Sequence, residues 1–395
     1  MKPLEIDVLV VGAGAAGMMC AGEAGRRGRS VLVVDHARAP GEKIRISGGG
    51  RCNFTNLGCG PHAFLGENPR FATSALKRFT QHDFLKRVEA AGIAWHEKTL
   101  GQLFCDDSAK QIVRMLTDGM AAAGATLRTG TGVDRVERRG EGFEAALSDG
   151  SVVRARSLVL ATGGKSIPKM GATGWAYDAA RRFGLRVTET RPGLVPLTFE
   201  AGLLETLAPL AGLSVEAVVR HGRTSFAEGL LFTHRGLSGP SILQISSYWR
   251  EGEAITVAMA PGVDVYAALK AAKDANGKQA VHTALGHITP RRLAESLCAR
   301  EGVHGRLAEV GDAALRRLDE AVNRWTVKPV GSEGYRTAEV TLGGVATDQL
   351  DQQTMQAKSV PGLYVIGEAV DVTGWLGGYN FQWAWSSGWA AGQVC

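Results

Sequence analysis

One glycine-rich turn between two apolar runs constrains the fold of this 395-residue chain more than any other feature. The run at 8–11 is followed by Gly12, Gly14 and Gly17 in G-x-G-x-x-G order, by a stretch predicted to be helical, and by an apolar run ending at Asp35. Gly12 permits a tight turn, Gly14 leaves room for a pyrophosphate, and Gly17 lets the helix pack closely on the sheet. The pattern predicts the adenosine-diphosphate half of a dinucleotide site.

Asp35 determines which dinucleotide is expected. It follows Gly14 by about twenty residues, the spacing at which a carboxylate reaches the ribose hydroxyls. Its negative charge disfavours a 2′-phosphate, so FAD or NAD is expected rather than NADP. Ala15 and Ala16 open the helix whose positive end would hold the phosphates, and both belong to the predicted site.

The length and composition of the chain indicate a multidomain protein that is not embedded in a membrane. Single hydrophobic cores stop growing at roughly 250–300 residues, and 45% hydrophobic residues is ordinary for a globular protein. No apolar run approaches the ~20 residues that cross a bilayer. The first residues lead directly into the first predicted strand and leave no space for a signal peptide, so a cytoplasmic location is expected.

The charge and cysteine patterns limit the kinds of ligand and metal that the chain is expected to bind. The net charge of +6 comes from scattered basic residues with no lysine-rich run, so we expect a small-molecule substrate and no nucleic acid. The six cysteines contain no C-x-x-C pair, which predicts no metal site and argues against a disulfide reductase. These features leave the oligomeric state open.

The strand, turn and helix pattern occurs near both ends of the chain. Apolar strands are predicted at 157–161 and 360–366, and each is followed by a glycine-containing turn. The intervening sequence changes style, because it is first β-rich and then helical. The sequence therefore predicts an α/β fold with a nucleotide-binding domain at 1–190 and 335–395 and an insert at 191–334, divided into a β-rich part at 191–262 and a helical part at 263–334.

Residues 41–53 are predicted to form a loop against the cofactor. Consecutive glycines at 48–50 allow close backbone approach to a ligand, and the segment is too glycine-dense for a helix. Arg51, which follows the glycines, fits a loop that lies along a cofactor, and Lys43 is a candidate for a charged contact. Helices are predicted after this loop at 71–91 and 108–123.

Four further strings in the chain are long and unusual: 47–53 (SGGGRCN), 161–164 (ATGG), 231–240 (LFTHRGLSGP) and 377–385 (GGYNFQWAW). Together with the first glycine turn, they resemble the HI0933-like family of bacterial FAD-binding flavoproteins, some members of which are called aminoacetone oxidases. The resemblance covers nearly the whole chain. Two departures are visible: family members often have glutamate where this chain has Asp35, and a charged or polar residue where it has Trp375.

The resemblance implies a Rossmann FAD-binding domain of the glutathione-reductase type, built from both chain ends, with a β-barrel-like and helical insert. It also implies that the C-terminal strand end lies along the ribityl and pyrophosphate, and that the helix from near Asn380 points its N-terminus at the flavin. The predicted cofactor-binding residues are Gly12, Gly14, Ala15, Ala16, Gly17, Asp35, Lys43, Ser47, Gly48, Gly49, Arg51, Cys52, Asn53, Val133, Ala161, Thr162, Gly163, Gly367, Glu368, Asp371, Gly378, Asn380 and Phe381.

The resulting functional prediction is an FAD-dependent oxidoreductase. A hydride would pass through flavin N5 to or from a small organic substrate, with NAD(P)H as a transient donor. Three alternatives stay open: an amine oxidase that uses O₂, a flavin-binding regulatory or RNA-modification protein, and a dehydrogenase with bound NAD. No catalytic residue is assigned, and the candidates are His234, Arg235 and Tyr379.

Overall fold

The structure is a computed structural model that describes residues 2–395. Within this range, no helix is both long enough and apolar enough to span a membrane. The chain divides into two compact units, the first formed by residues up to Arg191 together with Val340–Cys395 and the second by Pro192–Glu339.

The part of the first unit before Arg191 alternates strands and helices. Its strands are β1 Leu4–Val11, β2 Val31–Asp35, β3 Asn53–Asn56, β4 Phe64–Leu65, β5 Trp95–Glu97, β6 Gln102–Cys105, β7 Thr126–Thr129, β8 Val133–Arg139, β9 Gly142–Leu147 and β10 Val152–Leu160. Its helices are α1 Ala15–Arg26, α2 Glu42–Gly50, α3 Thr73–Arg78, α4 Gln81–Ala90, α5 Lys110–Ala122 and α6 Trp175–Arg182.

The middle of the chain and the C-terminal part follow. The next strands are β11 Arg191–Gly193, β12 Leu197–Thr198, β13 Ser214–His221, β14 Thr224–Thr233, β15 Gly236–Ser238, β16 Ile255–Ala258, β17 Trp325–Val327 and β18 Gly331–Ser332, and the helices are α7 Ala201–Leu207, α8 Pro240–Ser246, α9 Val265–Ala275, α10 Val281–Leu285, α11 Arg291–Arg300 and α12 Asp312–Asn323. The C-terminal part contains β19 Val340–Leu342, β20 Leu363–Val365, β21 Thr373–Gly374 and α13 Tyr379–Gly392.

A parallel sheet forms the centre of the first unit. Neighbouring strands pair in parallel in the order β7, β2, β1, β10. The first half of β10 then pairs with β9 in antiparallel fashion and its second half pairs with β20 in parallel, while β8 pairs with β9. Because β1, β10 and β20 are parallel, the turns after them emerge at one edge, where open α/β sheets bind ligands. The predicted α/β fold with a Rossmann-type sheet is confirmed.

Helices α1 and α13 pack with their backbones almost in contact. A Cβ on Gly388 would lie 2.4 Å from the carbonyl oxygen of Ala16, and a Cβ on Gly392 would lie 2.8 Å from the carbonyl oxygen of Cys20. No side chain fits between the helices at these two points, so the close approach requires glycine. The C-terminal helix is thereby held directly against the helix that begins at the glycine turn.

The aromatic residues of α13 pack on one another and on neighbouring helices. Phe381 stacks on Trp385 with ring centroids 5.7 Å apart, and Trp385 stacks on Phe84 at 4.3 Å. Trp389 stacks on Phe79 at 5.9 Å. These contacts bury apolar area and give the helix one defined orientation.

The structure corrects the prediction that 41–53 is a loop throughout. Residues 42–46 are helical, because the buried side chain of Ile44 provides an apolar anchor that outweighs the glycine content of the segment. Helical geometry ends at Ser47, and the next two residues, Gly48 and Gly49, adopt φ of +56° and +67°. The predicted loop therefore exists only after the first turn of α2.

The helix predicted at 71–91 is two helices, α3 and α4. Thr80 begins the second one as a capping box: its hydroxyl accepts from the Asp83 backbone N–H at 3.3 Å, and the Asp83 carboxylate accepts from the Thr80 N–H at 2.9 Å. This reciprocal pair stabilises a helix start. It divides an apolar pattern that is continuous in the sequence.

The second unit is organised around an antiparallel sheet. Its strands follow the order β17, β16, β13, β14, β15, β12, β18, and each neighbouring pair is antiparallel. The β-rich and helical parts of 191–334 are less separate than expected, since α7 and α8 lie in the first part and β17 and β18 in the second. The reason is long-range pairing: β17 forms its ladder with β16, a partner that the local pattern does not reveal.

We expect Gly388→Ala to lower the free energy of unfolding by about 2 kcal/mol or more, because the added methyl must push α13 away from the Ala16 carbonyl. Urea unfolding followed by circular dichroism measures this. Gly22→Ala on α1 is the matched control: its Cβ would lie 4.0 Å from the nearest atom, so a gain of up to about 1 kcal/mol from helix propensity is expected. Equal stability of the two variants would contradict close helix packing.

Candidate functional site

The glycine turn after β1 has no room for side chains. A Cβ on Gly12, whose φ is +111°, would lie 2.5 Å from the carbonyl oxygen of Ala161, at the end of β10. A Cβ on Gly17 would lie 1.9 Å from the carbonyl oxygen of Gly12. The turn, the first turn of α1 and the end of β10 are therefore in direct backbone contact, as expected from the fingerprint.

Gly14 borders space that a ligand can fill. A Cβ on Gly14, the residue before α1, would meet no atom within 4 Å. The buried hydroxyl of Thr162 has no hydrogen-bond partner within residues 2–395. The first N–H groups of α1 have no acceptor inside the helix. Unpaired donors at a helix N-terminus beside open space fit the phosphates of a dinucleotide.

Asp35 supports the turn from the end of β2. Its carboxylate accepts from the backbone N–H of Ala13 at 2.7 Å and from that of Ala37 at 2.8 Å. These bonds orient the side chain and leave further acceptor capacity on both oxygens. The predicted contact with ribose hydroxyls stays a prediction.

A polar cluster, formed by Lys43, Ser166, Thr341 and Glu368, joins four distant parts of the chain. The Lys43 ammonium lies 2.7 Å from Glu368 Oε2 and donates to Ser166 Oγ at 2.6 Å. Ser166 Oγ donates to Glu368 Oε1 at 2.9 Å, and the Thr341 backbone N–H donates to the same oxygen at 2.8 Å. Every carboxylate oxygen of the cluster therefore has a partner.

The charge of Glu368 is maintained by this cluster. Burial by itself raises the pKa of Glu368, but the Lys43 ammonium and the hydrogen bonds to its oxygens outweigh burial and hold the pKa of this carboxyl below its usual value. The side chain is 20% exposed. Burial also raises the pKa of Asp371, which accepts from the Glu67 N–H at 2.9 Å.

Gly48, near the end of α2, lies against strand β6. A Cβ on Gly48 would lie 2.6 Å from the ring of Phe104. Cys52 follows with φ of +51° and is buried, and its burial raises the pKa of the thiol, so the sulfur stays protonated and unreactive. Ser47 Oγ donates to the Ile44 carbonyl at 2.8 Å, which ends the helical turn.

The start of α13 is built by a second close backbone approach. A Cβ on Gly378, whose φ is +97°, would lie 2.5 Å from the Thr55 carbonyl oxygen. Asn380 fixes the preceding turn, because its side chain accepts from the Gly374 N–H at 2.8 Å and donates to the carbonyl oxygens of Gly374 and Trp375 at 2.9 and 3.2 Å. The N-terminus of α13 is therefore held in one place by the main chain.

The remaining predicted residues have different surroundings. Val133 is buried and its carbonyl accepts from the Trp175 indole N–H at 3.1 Å. Tyr379 is 8% exposed and packs edge-on against Phe64 and Trp375. His234 and Arg235 are exposed in the turn between β14 and β15, in the second unit, whereas Tyr379 belongs to the first.

Sequence reasoning missed Ser166, Thr341 and Asn56. Asn56 is buried, and its side-chain amide donates to the carbonyl oxygens of Leu100 at 3.0 Å and Gly377 at 2.9 Å. No local pattern marks these three residues. Their contacts join distant parts of the chain, so only the tertiary structure reveals them.

The fold and the site together define an FAD-binding oxidoreductase of the Rossmann type. The solved 3-ketosteroid-Δ4-(5α)-dehydrogenase from Rhodococcus jostii RHA1 has this fold: it aligns with a TM-score of 0.51 over 99% of this chain and 98% of its own, at 15% identity. The family described as HI0933-like protein Rossmann domain matches residues 6–394, and the chain belongs to this family. The resemblance inferred from the sequence is confirmed.

Two curated relatives have the same name. The ribosomal RNA dihydrouridine synthase of Escherichia coli (strain K12) is 51% identical, with 98% of each chain covered. The ribosomal RNA dihydrouridine synthase of Haemophilus influenzae (Rd) is 43% identical, covering 97% of this chain and 96% of its own. The expectation of no nucleic-acid partner is therefore wrong. It relied on the absence of a basic run, but structured RNA is also recognised by shape and by stacking.

We expect Lys43→Met to lower the free energy of unfolding of the FAD-free protein by about 1–3 kcal/mol at pH 7, because it leaves the Glu368 carboxylate without its cation. In the wild type the pKa of Glu368 is depressed, so its contribution is present above the ordinary glutamate pKa and is lost as the pH falls through the lowered pKa. The deficit should therefore shrink in acid, where the carboxyl is protonated in both proteins.

Urea unfolding between pH 3.5 and pH 8 measures this pH dependence. The exposed Lys77→Met is the control, and we expect it to have no pH-dependent effect. A Lys43→Met deficit that stays constant over the whole range would show that the ion pair does not hold the Glu368 charge.

Proposed function

We propose that this protein is an FAD-dependent reductase that converts uridine in ribosomal RNA to dihydrouridine. The observation that carries the proposal is the 51% identity, over 98% of both chains, with a protein named for that activity. A substrate difference between two such similar chains would need a changed site. The backbone contacts at Gly12 and Gly378 would form the cofactor part of this site.

FAD would be held by the first unit. The N-terminus of α1 and the space beside Gly14 would take the pyrophosphate. Asp35 would accept from the ribose hydroxyls of the adenosine. We propose that the other residues predicted from the sequence to bind the cofactor also contact FAD.

The reaction needs one hydride and one proton added across the C5–C6 double bond of uracil. Bound FAD supplies hydride transfer between a two-electron donor and this bond. The N-terminus of α13, fixed by Gly378 and Asn380, would stabilise negative charge that develops beside it. Lys43 and Glu368 would remain paired with each other, so neither residue would take the proton that is transferred to uracil.

The electron donor in this proposal is NADH or NADPH. The described chain has one Rossmann glycine fingerprint, which the proposal assigns to FAD. A nicotinamide would therefore bind only transiently. Tyr379, the first residue of α13, stays a candidate for the proton transfer to C5.

We expect Gly14→Ala to weaken FAD binding by about tenfold or more without loss of stability. The φ of Gly14 is one that alanine adopts and its Cβ meets no protein atom, so the methyl would occupy only the space meant for the pyrophosphate. Fluorescence titration with FAD and thermal unfolding of the FAD-free protein measure the two effects. Gly202→Ala, also in open space, is the control. Unchanged FAD affinity in Gly14→Ala would place the cofactor elsewhere.

The activity is tested on ribosomal RNA transcribed in vitro, which contains no modified nucleosides. The FAD-loaded protein is incubated with this RNA and NADH or NADPH under anaerobic conditions, and the digested RNA is analysed for dihydrouridine by mass spectrometry. We expect dihydrouridine at a defined position and only when a reduced nucleotide is present. Gly14→Ala at limiting FAD is the matched control, and it should form less product.

Reduction of the bound flavin by NAD(P)H with no dihydrouridine in naked RNA or in assembled subunits would overturn the proposal. Oxygen consumption with amines, together with a flavin that neither nucleotide reduces, would support the oxidase alternative. A flavin with neither activity would support a regulatory role. These outcomes therefore distinguish a dihydrouridine synthase, an amine oxidase and a flavin-binding regulatory protein.

A further inference from the structure

We propose that Leu100 is an RNA wedge: it enters the base stack next to the target uridine and keeps that base turned out toward the flavin site. This inference rests on the proposed function and names the part of the protein that prepares the substrate. Enzymes that act on a stacked base must first take it out of the stack. Apolar side chains inserted between base steps are a known means of unstacking.

Leu100 has a side chain that its turn does not need: the two-residue turn between β5 and β6 requires a left-handed φ at this position, which glycine or asparagine adopts at less cost. It lies at the tip of the hairpin between β5 and β6, its φ is +53°, and it is 65% exposed. The left-handed region of backbone conformation costs free energy for leucine but not for glycine. An exposed apolar side chain adds no packing energy. Strain at an exposed tip is typical of a functional site.

The tip is fixed to the start of α13 through one buried side chain. The Asn56 amide donates to the Leu100 carbonyl at 3.0 Å and to the Gly377 carbonyl at 2.9 Å. Gly377 precedes Gly378, the N-cap of α13. The Gly101 carbonyl accepts from the Leu57 N–H at 2.8 Å. Leu100 is therefore rigidly positioned relative to the helix end that we assign to the flavin.

The surroundings of the tip fit a polyanion with exposed bases. Lys98 is exposed on the same hairpin, 5.6 Å above the Phe104 ring, and Arg51 is exposed on the adjacent loop, its carbonyl accepting from the Cys105 N–H at 3.0 Å. Cations of this kind position a phosphate backbone.

The charge distribution also favours RNA over a membrane or a protein groove. The net charge of +6 lies entirely in the first unit, because acidic and basic residues are equal in number in the second. The hairpin also carries the exposed carboxylates of Glu97 and Asp106, so the cations available to meet phosphate there are Lys98 and Arg51. A single exposed leucine suits one gap in a base stack better than an extended apolar partner.

The test compares Leu100→Asn with the wild type on two RNAs. Asparagine tolerates the left-handed conformation, so the hairpin should keep its shape. The substrates are a folded ribosomal RNA fragment that contains the modified uridine and an unstructured oligonucleotide of the same local sequence. We expect the ratio of kcat/KM on folded RNA to kcat/KM on unstructured RNA to fall by about tenfold, the scale of one lost base-stacking contact. Leu100→Phe should restore the ratio.

A second measurement does not depend on turnover. In the folded fragment, 2-aminopurine replaces the base next to the target uridine, and we expect its fluorescence to rise with the wild type and Leu100→Phe but not with Leu100→Asn. Val330→Asn, the same change at a residue 58% exposed in the second unit, should match the wild type in both assays.

Several outcomes would overturn the wedge. These are an unchanged kcat/KM ratio in Leu100→Asn or equal fluorescence in all variants. Failure of the proposed function looks different: the wild type then reduces no uridine in either RNA. In that case only the 2-aminopurine fluorescence tests the wedge. If the fluorescence does not rise with the wild type, the wedge is overturned together with the proposed function.

Discussion

The backbone contact between the first glycine turn and the end of β10 is the constraint on which the first unit depends. Gly12 and Gly17 bring the turn, helix α1 and Ala161 together with no side chain between them. This contact directs the N-terminus of α1 toward the edge where β1, β10 and β20 end. Helix α13 then packs on α1 through Gly388, again without an intervening side chain. Two helix N-termini are thereby positioned by steric exclusion, which is insensitive to salt and pH.

Electrostatics act differently at the same edge of the sheet. The Lys43 and Glu368 charges satisfy each other, with hydrogen bonds from Ser166 and Thr341. Thr162 Oγ1, in contrast, has no hydrogen-bond partner in the described chain. A buried hydroxyl is costly without a partner. This edge of the sheet therefore combines a charge cluster that is complete in the protein alone with a buried hydroxyl that has no partner in the described chain.

A flavoprotein that acts on RNA has a further requirement, since its substrate is a base held in a stack. The proposed solution uses the hairpin between β5 and β6, which is tied to the start of α13 by Asn56. The sheet edge would then bind the cofactor, and the hairpin would open the RNA base stack. The relatives named ribosomal RNA dihydrouridine synthases make this division relevant here.

The sequence alone determined the Rossmann turn, because Gly12, Gly14 and Gly17 act through local sterics, and it indicated that both chain ends build one sheet. It did not reveal the helical turn around Ile44, which depends on burial, or the Lys43 and Glu368 cluster, whose members are far apart in the chain. The strand pairing of β17 with β16 and the rigid tip at residue 100 were likewise decided by tertiary contacts. Local patterns encode backbone conformation, whereas long-range pairing and burial follow only from the folded chain.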